Sequence, residues 1–129
     1  MNEDWNGVAK RFLAAWTSQD VDAVLATYTE DLVYRDPNTR GEIRGANAMR
    51  RYLTRLFGAW EMTWSLREAH VSAEGTGAVL WHATFRPRGG GAPVEADGMD
   101  LVQVRGGRVA RNEVQFDRTL LGATAAVAG

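Results

Sequence analysis

Residues 94–117 read VEADGMDLVQVRGGRVARNEVQFD, and two runs of alternating apolar and polar residues flank the Gly106-Gly107 pair at their centre. Two glycines between strand-like runs are typical of a tight β-hairpin, because both turn positions need positive φ. Residues 60–67 and 79–85 show the same alternation. The second half of the chain is therefore predicted to form a four-stranded antiparallel meander.

The first half of the chain has helical periodicity instead. Apolar residues recur at intervals of three and four, which predicts a helix over residues 4–18. A short strand is predicted over residues 32–36, and a third helix begins at Ala46 and ends at Gly58. Between the first helix and that strand, Asp20 is the predicted N-cap of a second helix, whose inner face carries Val21, Val24, Leu25 and Tyr28. Helices followed by antiparallel strands indicate the α+β class, with the helices on one face of the sheet.

Alternation sorts the side chains of the predicted sheet into two faces. One face is largely apolar, so the helices should cover it; it carries Trp81, Ala83, Phe85, Asp100, Val102, Val104, Asn112, Val114 and Phe116. The opposite face places Met99 and Leu101 among polar residues. An apolar patch of that kind often meets a partner, and the commonest partner is an identical subunit. The sequence therefore predicts a homodimer that forms through Met99 and Leu101.

Two carboxylates lie on predicted faces that are otherwise apolar. An ionised Asp100 without a partner would cost several kcal/mol there, so it must be paired, protonated or lining a cavity. Asp36 shares a strand face with Tyr34 and precedes a proline. Each has a structural alternative: Asp36 as a loop cap, and Asp100 as a hydrogen-bonded residue that fixes a loop. His82 is on the face opposite Asp100, so no Asp–His dyad is expected.

Composition excludes several classes of function. The length of 129 residues fits a single domain, 1–129, with a weakly patterned tail at residues 119–129 that is expected to fray. The chain has no cysteine and two separated histidines, so no metal site is expected. A net charge of −1 with scattered arginines gives no general attraction to nucleic acid or an anionic membrane. The polar start MNEDWNG and the lack of a long apolar run predict a cytoplasmic location.

Three segments resemble a known family. Residues 8–37, VAKRFLAAWTSQDVDAVLATYTEDLVYRDP, and residues 44–53, RGANAMRRYL, resemble the opening of ketosteroid isomerases and their SnoaL-like relatives in the nuclear transport factor 2-like superfamily. Residues 96–116 continue the resemblance, which covers nearly the whole chain. It implies a cone-shaped fold, commonly dimeric, in which three N-terminal helices pack in a curved, mainly antiparallel sheet with a central pocket.

The resemblance also implies roles for the two carboxylates. Asp36 occupies the position of the base that shuttles a proton in ketosteroid isomerases. Asp100 occupies the position of a protonated acid that donates a hydrogen bond to the developing enolate, an arrangement known for pKa tuning. Removing a proton next to a carbonyl needs such a base together with hydrogen-bond donors at the oxygen.

The chain departs from the family pattern at two positions. Phe12 stands where ketosteroid isomerases have an oxyanion tyrosine, and phenylalanine cannot donate a hydrogen bond. Val114 stands where SnoaL-type cyclases keep an acid/base aspartate. A hydroxyl of Tyr28, Tyr34 or Tyr52 is a candidate substitute for the missing donor.

The sequence therefore predicts a small, cofactor-independent enzyme that acts on a hydrophobic polycyclic or polyketide-like substrate. The reaction would use carboxylate acid/base chemistry for isomerisation, cyclisation, dehydration or epoxide opening. The alternative is a non-catalytic protein that binds a small molecule in the same pocket. Asp36 and Asp100 are the predicted catalytic residues. Trp60 and Trp64 are candidates for the pocket mouth, with plain core as the alternative that aromatic residues at strand spacing favour. The predicted substrate-binding residues are Phe12, Trp16, Tyr52, Trp81, Phe85, Asn112, Val114 and Phe116.

Overall fold

The computed structural model describes residues 5–72 and 74–117, so the tail at 119–129 lies outside the described residues. The elements follow in the order α1 (Trp5–Ser18), α2 (Val21–Leu25), β1 (Tyr28–Arg35), β2 (Ile43–Arg44), α3 (Ala46–Ala59), β3 (Trp60–Val71), β4 (Thr76–Pro87), β5 (Val94–Arg105) and β6 (Arg108–Gln115). None of the described helices is both long enough and apolar enough to cross a membrane.

These strands form one sheet with the order β2-β1-β6-β5-β4-β3. β3 to β6 form the predicted antiparallel meander, and Gly106 and Gly107 make its last turn with φ of 60° and 79°. β1 pairs with β6 in parallel, and β2, for which the sequence predicted no strand, pairs with β1 on its other side. The α+β class is confirmed, and the sheet is a mixed one of six strands.

The helical half differs in detail from the expectation. Asp20 caps α2 as predicted, because its Oδ1 accepts from the backbone N–H of Asp22 at 3.0 Å. However, α2 has only five residues, and Tyr28 begins β1 instead of extending the helical face. The backbone N–H of Val109 in β6 donates to the carbonyl of Thr27 at 2.8 Å. Pairing with β6 therefore overrides the local helical period at this point.

Side chains at the end of α1 form hydrogen bonds with backbone groups on the free edge of β3. Gln19 donates from Nε2 to the carbonyl of Trp60 at 2.8 Å and accepts from the N–H of Met62 at 3.2 Å. Thr17 Oγ1 accepts from the N–H of Trp64 at 2.9 Å. These bonds replace the partner strand that an edge strand lacks, and they fix the position of α1 along β3.

Trp81 is the largest fully buried side chain, with 1% of its surface exposed. It pairs across the sheet with Gly98 of β5. A Cβ atom at Gly98 would lie 2.4 Å from Cη2 of Trp81 and 2.8 Å from the carbonyl oxygen of Gln115. The missing side chain at residue 98 therefore provides the space for the indole ring.

We expect Gly98→Ala to lower the free energy of unfolding by about 1–3 kcal/mol, the usual cost of overpacking a filled interior. Gly58→Ala is the matched control, because a Cβ at Gly58 in α3 would meet no atom within 4 Å. The control should be neutral or stabilising by up to about 1 kcal/mol. Urea unfolding measures both, and equal midpoints for wild type and Gly98→Ala would contradict this role of Gly98.

Candidate functional site

A largely apolar cavity lies where α1 and α3 face the sheet. Its volume is about 50 Å³, and it opens to solvent at one end. Leu13 and Trp16 reach it from α1, and Tyr52 and Leu56 reach it from α3. The remaining wall comes from five strands and from the residues that follow β1 and β6.

Aromatic rings in contact form a continuous chain around this cavity. Tyr52 contacts Tyr34, whose ring stacks on Trp16 with a centroid separation of 5.8 Å and an interplanar angle of 22°. Trp16 contacts Trp64 edge to face at 5.5 Å, and Trp64 contacts Trp81 in the same way at 6.4 Å. The chain ends in two phenylalanines, because Trp81 contacts both Phe85 and Phe116.

Asp100 lies at the inner end of this chain. It is 5% exposed, and the indole Nε1–H of Trp81 donates to its Oδ1 at 2.9 Å. Burial raises the pKa of Asp100 to about 7, since the hydrogen bonds from Trp81 and Asn112 only partly offset the cost of an ionised carboxylate in the interior. The negative charge of Asp36 raises the pKa further. Asp100 is therefore buried as predicted, and its partners are neutral donors.

Asp36 lies at the other end of the chain of rings, where the cavity is more open. The hydroxyls of Tyr34, at 2.6 Å, and Tyr52 both donate to Oδ2 of Asp36. The backbone N–H groups of Asn38, at 2.7 Å, and Thr39, at 3.0 Å, donate to Oδ1. Only an ionised carboxylate can accept all four of these bonds. Asp36 is thus a loop cap that also lines the cavity.

The three tyrosines that could replace the missing oxyanion donor are bonded to other side chains. Burial, followed by the charge of Asp36, raises the pKa of Tyr34 and of Tyr52 well above the usual value, so both keep the protons that they donate to Asp36. The Tyr28 hydroxyl donates to Oδ1 of Asn112 at 2.8 Å.

Six of the eight residues predicted to bind substrate line the cavity: Trp16, Tyr52, Trp81, Phe85, Val114 and Phe116. Phe12 does not line it. It precedes Leu13 by one position on α1, so its side chain points in a different direction, and its ring contacts Tyr28 with a centroid separation of 5.6 Å. Asn112 does not line it either. Its side chain is fully buried behind Asp100, where Nδ2 donates to the carbonyl of Leu101 at 3.4 Å.

The cavity also contains residues that the sequence analysis did not select. Trp60 and Trp64 line it, and so does Tyr34, a candidate donor, but Leu13, Asn38, Leu56 and Met62 are additional. Leu13, Leu56 and Met62 each share a periodic face with a selected residue, for example Met62 between Trp60 and Trp64. That periodicity could have identified them.

His82 points away from the cavity, as the alternation predicted. Its Nδ1 contacts Asp97 at 2.8 Å and its Nε2 contacts Glu95 at 2.6 Å on the outer face. Hydrogen bonds to Asp97 and then Glu95 raise the pKa of His82. Across the described residues, 5–72 and 74–117, no group of histidine and carboxylate side chains is arranged to hold a metal ion.

Comparison with known proteins gives the family. The model of the SnoaL-like domain matches residues 9–112. The chain belongs to the SnoaL-like domain family. No curated protein matches this SnoaL-like chain.

Solved structures share the fold at low identity. A protein with a ketosteroid isomerase-like fold from Catenulispora acidiphila, in complex with trimethylamine, is 14% identical over 92% of each chain, with a TM-score of 0.81. A ketosteroid isomerase-like protein from Erwinia carotovora atroseptica is 21% identical over 90% of this chain and 98% of its own, with a TM-score of 0.70. An LEH-like epoxide hydrolase from M. tuberculosis is 20% identical over 95% and 89%, with a TM-score of 0.75. These likenesses show the fold of the SnoaL-like domain.

The raised pKa of Asp100 predicts a specific dependence of stability on pH. The folded protein keeps this proton to about pH 7, whereas an unfolded aspartate loses it near pH 3.8. Because the folded state binds more protons in that interval, this group lowers stability as pH rises, by up to about 4 kcal/mol in total. Asp100→Asn removes the effect. The free energy of unfolding of this variant, relative to that of wild type, should therefore increase from about pH 4 to about pH 7. Urea unfolding at several pH values measures the difference, and two parallel curves would contradict the prediction.

Proposed function

We propose that this SnoaL-like domain is a small, cofactor-independent enzyme that acts on a hydrophobic small molecule by carboxylate acid/base chemistry. The observation that carries the proposal is a pair of carboxyl groups of different character in one apolar cavity. Asp36 accepts hydrogen bonds from four donors, whereas burial favours the neutral form of Asp100. Two carboxyl groups whose environments differ in this way are the usual basis for separate base and acid roles.

Asp100 acts as the acid or hydrogen-bond donor in this proposal. Trp81 donates to Oδ1, which corresponds to the carbonyl oxygen of the protonated acid. The proton then resides on Oδ2, where it can be donated to an oxygen of the substrate. A pKa of about 7 is suited to proton transfer near neutral pH.

Asp36 acts as the base. Its Oδ2 already accepts from two tyrosine hydroxyls, so it takes a substrate proton by exchanging one of them. Tyr52 is the better candidate for this exchange because its hydroxyl comes from α3, whereas Tyr34 lies on β1, only two residues before Asp36. Isomerisation, cyclisation, dehydration and epoxide opening all fit a base and an acid arranged in this way.

The competing proposal is a non-catalytic binding protein. Phe12 favours it, because the oxyanion tyrosine of ketosteroid isomerases is missing and Tyr28, Tyr34 and Tyr52 are occupied. The C. acidiphila relative in complex with trimethylamine supports small-molecule binding in this fold. Measured turnover of a substrate distinguishes the enzyme from the binding protein.

Substitution of the carboxyl groups tests the enzymatic proposal. Purified protein is assayed for isomerisation of a 5-ene-3-ketosteroid to the conjugated enone and for hydrolysis of apolar epoxides. Asp36→Asn should lower turnover by about 10²–10⁴-fold, since it removes the base. Asp100→Asn should lower turnover less, because an amide still donates. Asp97→Asn is the matched control on the outer face. An unchanged rate in Asp36→Asn would remove Asp36 from the mechanism, and no turnover of either substrate class would favour the binding protein.

We also propose that the protein is a homodimer through the outer face of the sheet. Met99 is 37% exposed there and pairs with Leu80 on β4, while Leu101 lies two residues further along β5. Apolar side chains on the solvent side of a central strand are typical of a face that meets a partner. Simultaneous Met99→Glu and Leu101→Glu should convert the dimer to a monomer, which light scattering detects. A wild-type monomer would contradict the dimer, and a dimer that survives both substitutions would place the interface elsewhere.

A further inference from the structure

We infer that the cavity takes a tertiary or quaternary alkylammonium group, either as a small cation or as the charged end of a larger apolar molecule. The inference rests on the proposed function only in taking this cavity as the ligand site. It adds two properties of the ligand that acid/base chemistry alone does not specify: its positive charge and the number of carbon substituents on its nitrogen.

The first argument is the charge of the cavity wall. The lining contains the carboxyl groups of Asp36 and Asp100, and among the described residues it contains no Lys, Arg or His. Asp36 contributes a negative charge at the more open end. This charge would repel an anionic ligand. A cation that enters the cavity loses the electrostatic stabilisation of its water shell, and the negative charge restores part of it.

The second argument is the aromatic content of the wall. Four tryptophans line the cavity, namely Trp16, Trp60, Trp64 and Trp81, and Tyr34, Tyr52 and two phenylalanines join them. An aromatic face carries partial negative charge and attracts cations, and the indole ring does so most strongly. Rings that surround a small volume are the usual means of binding quaternary ammonium groups.

The third argument is the hydrogen-bond capacity of Asp36. A carboxylate offers about four lone-pair sites, and Asp36 uses them for two tyrosine hydroxyls and two backbone N–H groups. It therefore supplies charge, and it can accept from a ligand N–H only by releasing one of these donors. A primary ammonium has three N–H groups and would leave buried N–H groups unpaired, which is costly. A tertiary ammonium has one N–H, and a quaternary ammonium has none. The single N–H of a tertiary ammonium could be donated to Asp100.

The fourth argument is size. A cavity of about 50 Å³ admits only a compact group, so whatever is attached to that group lies towards the open mouth. A trimethylammonium group is compact and roughly spherical, and it needs no directional hydrogen bond.

Calorimetric titration with choline and with its neutral carbon isostere, 3,3-dimethylbutan-1-ol, tests the charge directly. The two molecules have nearly the same shape, so a difference in affinity reports the positive charge. Choline should bind about tenfold or more tightly, as expected for desolvated cation–π contacts. Equal affinity, tighter binding of the alcohol, or no binding of choline would overturn the inference.

Variants test the aromatic and carboxylate contributions. Trp64→Leu keeps an apolar side chain but removes the ring that contacts Trp16, Trp81 and Phe85, so choline should bind about tenfold more weakly. Trp5→Leu is the matched control, because Trp5 lies on α1 but does not line the cavity. Asp36→Asn should also weaken choline binding about tenfold while leaving the isostere unaffected. Equal losses in Trp64→Leu and Trp5→Leu would indicate a general effect on the fold and overturn the assignment.

The dependence of affinity on pH provides a second readout. The groups that face Asp100 are the neutral donors Trp81 and Asn112, the carboxylate of Asp36, and Tyr28, whose pKa burial raises well above its usual value. A bound cation stabilises ionised Asp100, so the affinity for tetramethylammonium, which does not titrate, should increase as pH rises through about 7. Asp100→Asn should bind with the same affinity at every pH. A pH-independent affinity in wild type would contradict the placement of the cation near Asp100.

These experiments separate the inference from the proposed function. If the ketosteroid or epoxide substrates are turned over and choline neither binds nor inhibits, the ligand class is wrong and the acid/base proposal stands. If choline binds with the expected variants and pH dependence but no substrate is turned over, the ligand class stands and the protein is a binding protein.

Discussion

The parallel pairing of β1 with β6 joins the two halves of the chain. Tyr34 pairs with Asn112 and Arg35 with Glu113, so Asp36 emerges next to the end of β6. On the other side of β6, Val114 pairs with Asp100 of β5. The two carboxyl groups therefore lie on either side of one strand although 63 positions separate them in sequence. Without this pairing, β1 and β2 would not join the sheet and the cavity would lose one of its acids.

The two acids differ because solvent reaches one more readily than the other. Around Asp100, burial outweighs the two hydrogen bonds that favour the ionised form, and within residues 5–72 and 74–117 no cationic side chain acts on it to reverse that balance. Around Asp36, two hydroxyls and two backbone N–H groups together replace the lost water. Val114, apolar where SnoaL-type cyclases carry an aspartate, lies between them and avoids placing a third carboxyl group in the same small volume.

Local sequence patterns predicted most of the features that depend on them directly, such as the face of a strand on which a residue lies. Alternation in β4 and β5 predicted that Asp100 and Trp81 face the interior and that His82 does not, because a period of two leaves no ambiguity about the face. Tyr28 was assigned to a helix because its spacing from Leu25 fits a helical face, and only pairing with distant β6 decides otherwise. Phe12 was placed at the cavity by resemblance, but a helix turns about 100° per residue, so a neighbour one position away faces elsewhere. The sequence does not reveal that the hydroxyl of Tyr52 bonds to Asp36, since this bond depends on how α3 packs against β1.

The bonds from Thr17 and Gln19 to the first half of β3 have a consequence for how molecules of this protein can meet. The outward N–H groups of Met62 and Trp64 are already taken by these side chains, and Gln19 also donates to the outward carbonyl of Trp60. A strand from a neighbouring molecule cannot pair with these three backbone groups, because they are already bonded within the molecule. Growth of the sheet from molecule to molecule, the first step of fibril formation, is therefore opposed along this part of the edge by two side chains at the end of α1.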